Sequence, residues 1–279
     1  MYLTNYHTHT NFSDGNNTPE EMIQSAVNKN IKILGFSDHS PVPFFSDWNM
    51  KYENIFSYIT EIETLKQKYS DKIEIYTGLE VDYIENITGV QNWKFLNLDY
   101  TIGSVHFLKK FETGEYFTCD FTKESFKKGL DEIFEGNIKT MISYYYEQIN
   151  NMISECKPNV IGHINLITKF NKNNYFFDDN DIWYKNLVKQ TLEIVKQNNC
   201  IIEINTRGFY KKLTNEFYPS DWILKECKNQ KIPMMINSDA HHINEIDNQL
   251  FEAKNKLVEF GINKIMILKN KQWQEIEIL

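Results

Sequence analysis

Short apolar stretches that read as buried β-strands alternate with amphipathic helical stretches along almost all of this 279-residue chain. Six of its seven histidines stand just after those strands or at their ends. Alternation of this kind implies parallel strands joined by right-handed helical crossovers. Seven or so β/α units fit, closed as an irregular barrel. No internal repeat, low-complexity tract or Gly/Ser linker divides the chain, so one domain over 1–279 is expected. Side chains at the carboxyl ends of such strands converge on one mouth of a barrel.

The strands are expected over 3–6, 31–36, 73–79, 100–105, 159–161, 200–204, 233–236 and 264–268. Helices are expected over 18–28, 52–69, 123–134, 139–156, 182–197, 221–228 and 244–260. Thr18-Pro19-Glu20-Glu21 has the form of a capping box with proline at the first helical position. Tyr144-Tyr145-Tyr146 falls in a helix and reads as packing.

Composition removes several function classes. A net charge of −8 without a basic tract argues against a nucleic-acid partner, because phosphate backbones need Lys/Arg surfaces. A small phosphorylated substrate stays open. No apolar run approaches the roughly 20 residues that cross a bilayer. The N-terminal segment lacks the pattern of a signal peptide, and a cytoplasmic protein is expected. Cys119, Cys156, Cys200 and Cys227 are widely spaced and read as reduced thiols. Arg207 is the only arginine.

The chemistry lies at the strand ends. In His7-Thr8-His9 the two imidazoles are two residues apart, on the same face of a strand, and can grip one ion. Ser13-Asp14-Gly15 and Ser37-Asp38-His39 put further metal-competent groups where strands end. Glu80 closes the strand 73–79, and a lone buried carboxylate there needs a partner; bridging two cations answers that need. His106, His163, Asp239 and His241 each follow an apolar strand. One such histidine signifies little. Six beside Glu80 and Asp239 make a polynuclear metal site, with His242 left to the loop.

These segments, in this order, resemble the polymerase-and-histidinol-phosphatase (PHP) family of metallophosphoesterases, and its histidinol-phosphatase branch in particular. The residues that carry the likeness are His7-Thr8-His9, Ser37-Asp38-His39-Ser40-Pro41, Gly78-Leu79-Glu80, Gly103-Ser104-Val105-His106, Gly162-His163, Glu203-Ile204-Asn205-Thr206 and Ser238-Asp239-Ala240-His241. The resemblance implies an α/β fold, a distorted (β/α)7 barrel that is TIM-barrel-like, holding three divalent ions (Mn, Fe or Zn). It further implies that His7, His9, Glu80 and Asp239 hold the first ion. Glu80, His106 and His163 would hold the second, and His39, His241 and Asp14 the third. The branch often has Asp where Asn165 stands.

The implied activity is that of a phosphoric monoester hydrolase. Its substrate would be L-histidinol phosphate, giving L-histidinol and phosphate in histidine biosynthesis. Such a centre would carry a net charge of about +2, matched to a phosphate dianion, with a hydroxide bridging the first two ions as the expected nucleophile. Arg207, after Glu203-Ile204-Asn205-Thr206, suits bidentate phosphate binding, and Lys169 offers a second positive contact. Phe44, Phe45 and Trp48 lie in the loop after His39, where aromatic rings either sandwich an imidazole or pack the loop. Another small monoester, a nucleotide or sugar phosphate, is the alternative substrate. An amidohydrolase-type amide or lactone hydrolase and a metal-storage or regulatory domain are the remaining readings.

Overall fold

The computed structural model describes residues 3–278. Along the chain run β1 (Thr4–Asn5), β2 (Ile33–Phe36), β3 (Glu74–Asp82), β4 (Tyr100–Ser104), β5 (Phe107–Lys110), β6 (Tyr116–Thr118) and β7 (Val160–Ile161). They are followed by β8 (Ile201–Asn205), β9 (Met234–Asn237), β10 (Lys264–Lys269) and β11 (Gln272–Glu277). The spatial order β1-β2-β3-β4-β7-β8-β9 forms one seven-stranded sheet whose ladders are all parallel. Its edges meet beyond β1 and β9. Thr8 and Ala240 form a parallel bridge, with the His9 N–H donating to the Ala240 carbonyl at 2.8 Å. The result is a nearly closed, distorted (β/α)7 barrel.

Helices α1 (Pro19–Asn28), α2 (Ile55–Lys68), α3 (Lys123–Phe134), α4 (Ile138–Cys156), α5 (Ile182–Gln197), α6 (Arg207–Tyr210), α7 (Asp221–Gln230) and α8 (Leu250–Glu259) accompany the strands. The capping box is formed, Thr18 accepting from the Glu21 N–H and the Glu21 carboxylate from the Thr18 N–H. Outward-facing Leu34, Leu79, Ile161 and Ile202 join helix residues such as Ile23, Tyr58 and Leu192 in the main core. Tyr145 and Tyr146 are buried in it too. No helix among the described residues is long and apolar enough to cross a membrane.

Inside the barrel, period-two alternation puts Tyr76, Gly78 and Glu80 on one face of β3, and Tyr100, Ile102 and Ser104 on one face of β4. Tyr6, Ile33, Tyr76, Tyr100, Ile102, Val160, Ile201 and Met235 form a second core, joined by Ile267 and Leu268 of the terminal hairpin. The Tyr6 hydroxyl donates to the Leu268 carbonyl at 2.7 Å and so ties that hairpin to the barrel. Tyr100 fills the axis, and its hydroxyl donates to the Phe36 carbonyl at 2.9 Å. Only glycine leaves room for this ring: a β-carbon on Gly78 would stand 2.6 Å from Tyr100 Cζ, and one on Gly35 closer still to the hydroxyl. Apolar side chains therefore fill the barrel as far as Ile102, and polar ones such as Glu80 and Ser104 take over from that level.

Three expectations change. Glu80 lies within β3, because that strand stays in register with β4 (Glu80 opposite Ile102) as far as Asp82. The segment 264–268 joins no parallel sheet; as part of β10 it pairs antiparallel with β11, turning at Asn270 and Lys271, both left-handed (φ 51° and 60°). The helix expected over 244–260 divides into a 3-10 turn at Ile243–Glu245 and α8, with Gln249 left-handed between them (φ 61°).

Candidate metal centre

Glu80 organises the mouth of the barrel. Its Oε2 lies 3.1 Å from His7 Nε2, 3.1 Å from His39 Nδ1 and 3.4 Å from His9 Nε2. Its Oε1 faces the other way, 2.9 Å from His163 Nε2 and 3.8 Å from His106 Nε2, and accepts from the Ser104 hydroxyl at 2.6 Å. One carboxylate thus stands between two sets of imidazoles. Asp239 follows β9 in a left-handed conformation (φ 54°), which turns Oδ1 to within 3.4 Å of His9 Nε2 and of His241 Nδ1. Asp14, on the loop after His9, places Oδ2 3.0 Å from His241 Nε2 and Oδ1 3.5 Å from His9 Nδ1.

All nine residues expected as ligands are therefore brought together. Four groupings have candidate ligand atoms within 4.8 Å of one another: His9, Asp14, His39 and His241; His7, His9 and Asp239; His7, Glu80 and His163; and His39, Asp82 and His106. These groups fit cations by a test internal to the structure. Both ring nitrogens of His9, Nδ1 of His39, Nδ1 of His163 and Oδ1 of Asp239 are buried without a hydrogen-bond partner. Buried polar atoms are normally paired, and metal coordination would satisfy one nitrogen of the His9 ring, His39 Nδ1 and the Asp239 oxygen together.

The electrostatics divide the imidazoles. Burial opposes charge on His7, but Glu203, Asp239 and Glu80 outweigh it and hold that imidazole well above the ordinary histidine range. Burial likewise opposes charge on His106, yet Asp82 and Glu80 push it up to about 10. For His39 burial wins, lowering it to about 3. Burial also works against the ionised Glu80 and Asp239, and the surrounding imidazoles overcome it, keeping both carboxyls well below the usual range.

Residues 5–207 match the model of the PHP domain. The chain belongs to the PHP domain family. A curated histidinol-phosphatase of Bacillus subtilis (strain 168) is 32% identical over 257 residues, which cover 86% of this chain and 94% of that protein. The crystal structure of histidinol phosphate phosphatase from Lactococcus lactis subsp. lactis Il1403, complexed with Zn, L-histidinol and phosphate, has a TM-score of 0.73. It is 18% identical and covers 98% of each chain, a likeness of fold.

Two carboxylates escaped the sequence reading of this PHP domain. Glu203 Oε1 lies 2.6 Å from His7 Nδ1, and Asp82 Oδ1 lies 2.7 Å from His106 Nδ1. Carboxylates so placed hold the proton on Nδ1 and turn Nε2 toward a ligand. Their signal was present: each is an acid on the buried face of an apolar strand.

Above the imidazoles lies a pocket of about 280 Å³, walled in part by Trp48, Asp120, Phe121, Lys169 and Arg207. Arg207 opens α6, and its Nη1 donates to the Asp239 carbonyl at 2.9 Å and to Glu245 Oε2 at 3.3 Å. Nε and Nη2 make no hydrogen bond among the described residues. Lys169 Nζ donates to the Asp120 carbonyl at 2.5 Å and pairs with Asp120 Oδ2 at 3.3 Å.

The aromatic loop divides. Trp48 meets His39 edge-on at 4.5 Å between centroids, whereas Phe44 packs on Phe107 and Tyr116, and Phe45 is exposed. His242 serves the loop, Nδ1 accepting from the Asn244 N–H at 3.1 Å. The four cysteines are free and buried.

Proposed function

We propose that this chain is a metal-dependent phosphoric monoester hydrolase acting on L-histidinol phosphate, a histidinol-phosphatase of histidine biosynthesis. The observation that carries the reading is Glu80, with one oxygen toward His7, His9 and His39 and the other toward His106 and His163. The Bacillus relative supports the substrate. We assign three divalent ions: the first to His7, His9, Glu80 and Asp239, the second to Glu80, His106 and His163, and the third to Asp14, His39 and His241. Mn, Fe and Zn all suit this mixture of imidazole and carboxylate.

Ions held there supply positive charge for the phosphate oxygens and acidify water for attack. The chain's own residues do the rest. Glu203 and Asp82 keep the His7 and His106 rings oriented. Arg207 is held by Nη1 alone, which leaves its Nε/Nη2 edge for two phosphate oxygens. Lys169 adds a positive charge to the pocket wall, and Trp48 with Leu166 narrows the pocket against water. The unit works as a single domain over residues 1–279. Four free, buried thiols suit a reducing cytoplasm.

Purified protein assayed on a panel of phosphate monoesters, before and after chelation, tests the reading. L-histidinol phosphate is expected as the preferred substrate, with activity lost on chelation and restored by divalent metal. A preferred nucleotide or sugar phosphate would contradict the substrate; full activity without metal would contradict the chemistry.

A further inference from the structure

We propose that Asp120 recognises a primary ammonium group on the substrate, selecting amino-bearing phosphate monoesters over those without the amine; this rests on the hydrolase reading above. Asp120 follows the β5–β6 hairpin. The Cys119 N–H donates to the His106 carbonyl at 2.9 Å, so the turn is anchored beside an imidazole of the centre. The Asp120 carboxylate belongs to none of the four groupings able to hold a cation. It lines the same pocket as Glu80, His106 and His163.

One of its oxygens is occupied and one is free. Oδ2 pairs with Lys169 Nζ at 3.3 Å, and that nitrogen also holds the Asp120 carbonyl, fixing the residue from two sides. Oδ1 has no hydrogen-bond partner among the described residues. The carboxylate stays ionised although burial opposes it, because Lys169, His106 and His163 favour the charge.

A fixed carboxylate in a pocket built for a phosphate dianion is repulsive to that dianion. Like charges brought together cost affinity, and the cost becomes selectivity when the wanted ligand brings its own cation. L-histidinol phosphate does so: its ammonium sits on the carbon next to the methylene that bears the phosphate. With phosphate on the imidazole cluster and the Arg207 edge, Asp120 Oδ1 is the anionic acceptor left on the pocket wall for that ammonium. Asp120 is thus a specificity residue, and Lys169 positions it.

The test compares L-histidinol phosphate with its des-amino analogue, 3-(imidazol-4-yl)propyl phosphate, in the metal-loaded wild type and in Asp120→Asn. The wild type is expected to favour the amine in kcat/KM by about ten- to a hundredfold, the range of a charge-assisted hydrogen bond. Asp120→Asn should erase that preference while keeping metal content, lowering turnover of the amine and raising rather than lowering that of the analogue, because the repulsion goes with the charge. A preference that survives the substitution, or an equal fall on both compounds, would overturn the assignment. A readout independent of any variant is inhibition of the wild type by L-histidinol against its des-amino alcohol, expected about tenfold tighter for the amine; equal inhibition overturns the assignment. A wild type that hydrolyses no phosphate monoester would end the functional reading itself. One that hydrolyses both compounds equally ends the role of Asp120 alone.

Discussion

His7 Nδ1 lies 2.6 Å from Glu203 Oε1, with both side chains fully buried. Glu203 is itself held on every side. Asn237 Nδ2 donates to Oε1 at 2.9 Å, while the His163 N–H and Asn205 Nδ2 donate to Oε2 at 2.9 and 3.0 Å. So secured, it fixes the His7 tautomer and leaves Nε2 facing Glu80 and Asp239. Glu203→Gln removes the charge from this contact, and metal affinity should fall about 10- to 100-fold, with activity recovered at excess metal. Titrating the ion-free variant with Mn or Zn checks this; wild-type affinity would contradict it.

Arg207→Ala should raise KM for the phosphate monoester several-fold and leave metal content unchanged. The guanidinium reaches the Asp239 carbonyl but no candidate ligand atom. Steady-state kinetics with metal analysis decide it; unchanged kinetics would remove Arg207 from the phosphate site.

Loading the ion-free protein should release protons. His106, pushed up to about 10, carries a proton at neutral pH; His7 and His9 are shifted upward too by the carboxylates around them, whereas His39, lowered to about 3, carries none. Ligands must lose such protons to bind metal, so at least one should appear on loading at pH 7, and affinity should drop as pH falls. Calorimetry in buffers of different ionisation enthalpy counts them. The same shifts give a sign for stability without metal. A histidine raised on folding stabilises fully below about 6.5, and its contribution is lost as pH climbs through its folded value. For His106 that value is about 10. Ion-free protein should therefore melt lower as pH rises from 7 toward 10.

Gly78→Ala should destabilise the barrel without touching a candidate ligand. The added methyl would meet the Tyr100 ring at 2.6 Å, inside a packed axis. Overpacking of this kind costs about 1–3 kcal/mol. A drop in melting temperature of several degrees is expected, with kcat retained in the folded fraction.

The strand-end ligands were legible because imidazoles and acids interrupt runs that are otherwise apolar, and a buried charge demands a partner. Helices 123–134 and 182–197 were equally legible, since their apolar spacing has no competitor. Glu203 and Asp82 were harder: one acid among the isoleucines of β8 looks like ordinary alternation, and Asp82 ends β3 two residues after Glu80, which draws the eye first. Their roles emerge only when neighbouring strands bring His7 and His106 alongside. The terminal hairpin was hidden by its turn, where Lys271 takes a left-handed conformation that its residue type does not advertise. Within β11, polar Gln272, Gln274 and Glu275 obscure the strand.

Anomalous diffraction from crystals of the metal-loaded protein tests the central claim most directly. The account predicts three ions, two of them bound to different oxygens of Glu80 at about 2.0–2.2 Å, and the third among Asp14, His39 and His241. A Glu80 carboxylate that touches no ion and keeps only its contacts with the imidazoles and Ser104 would contradict it.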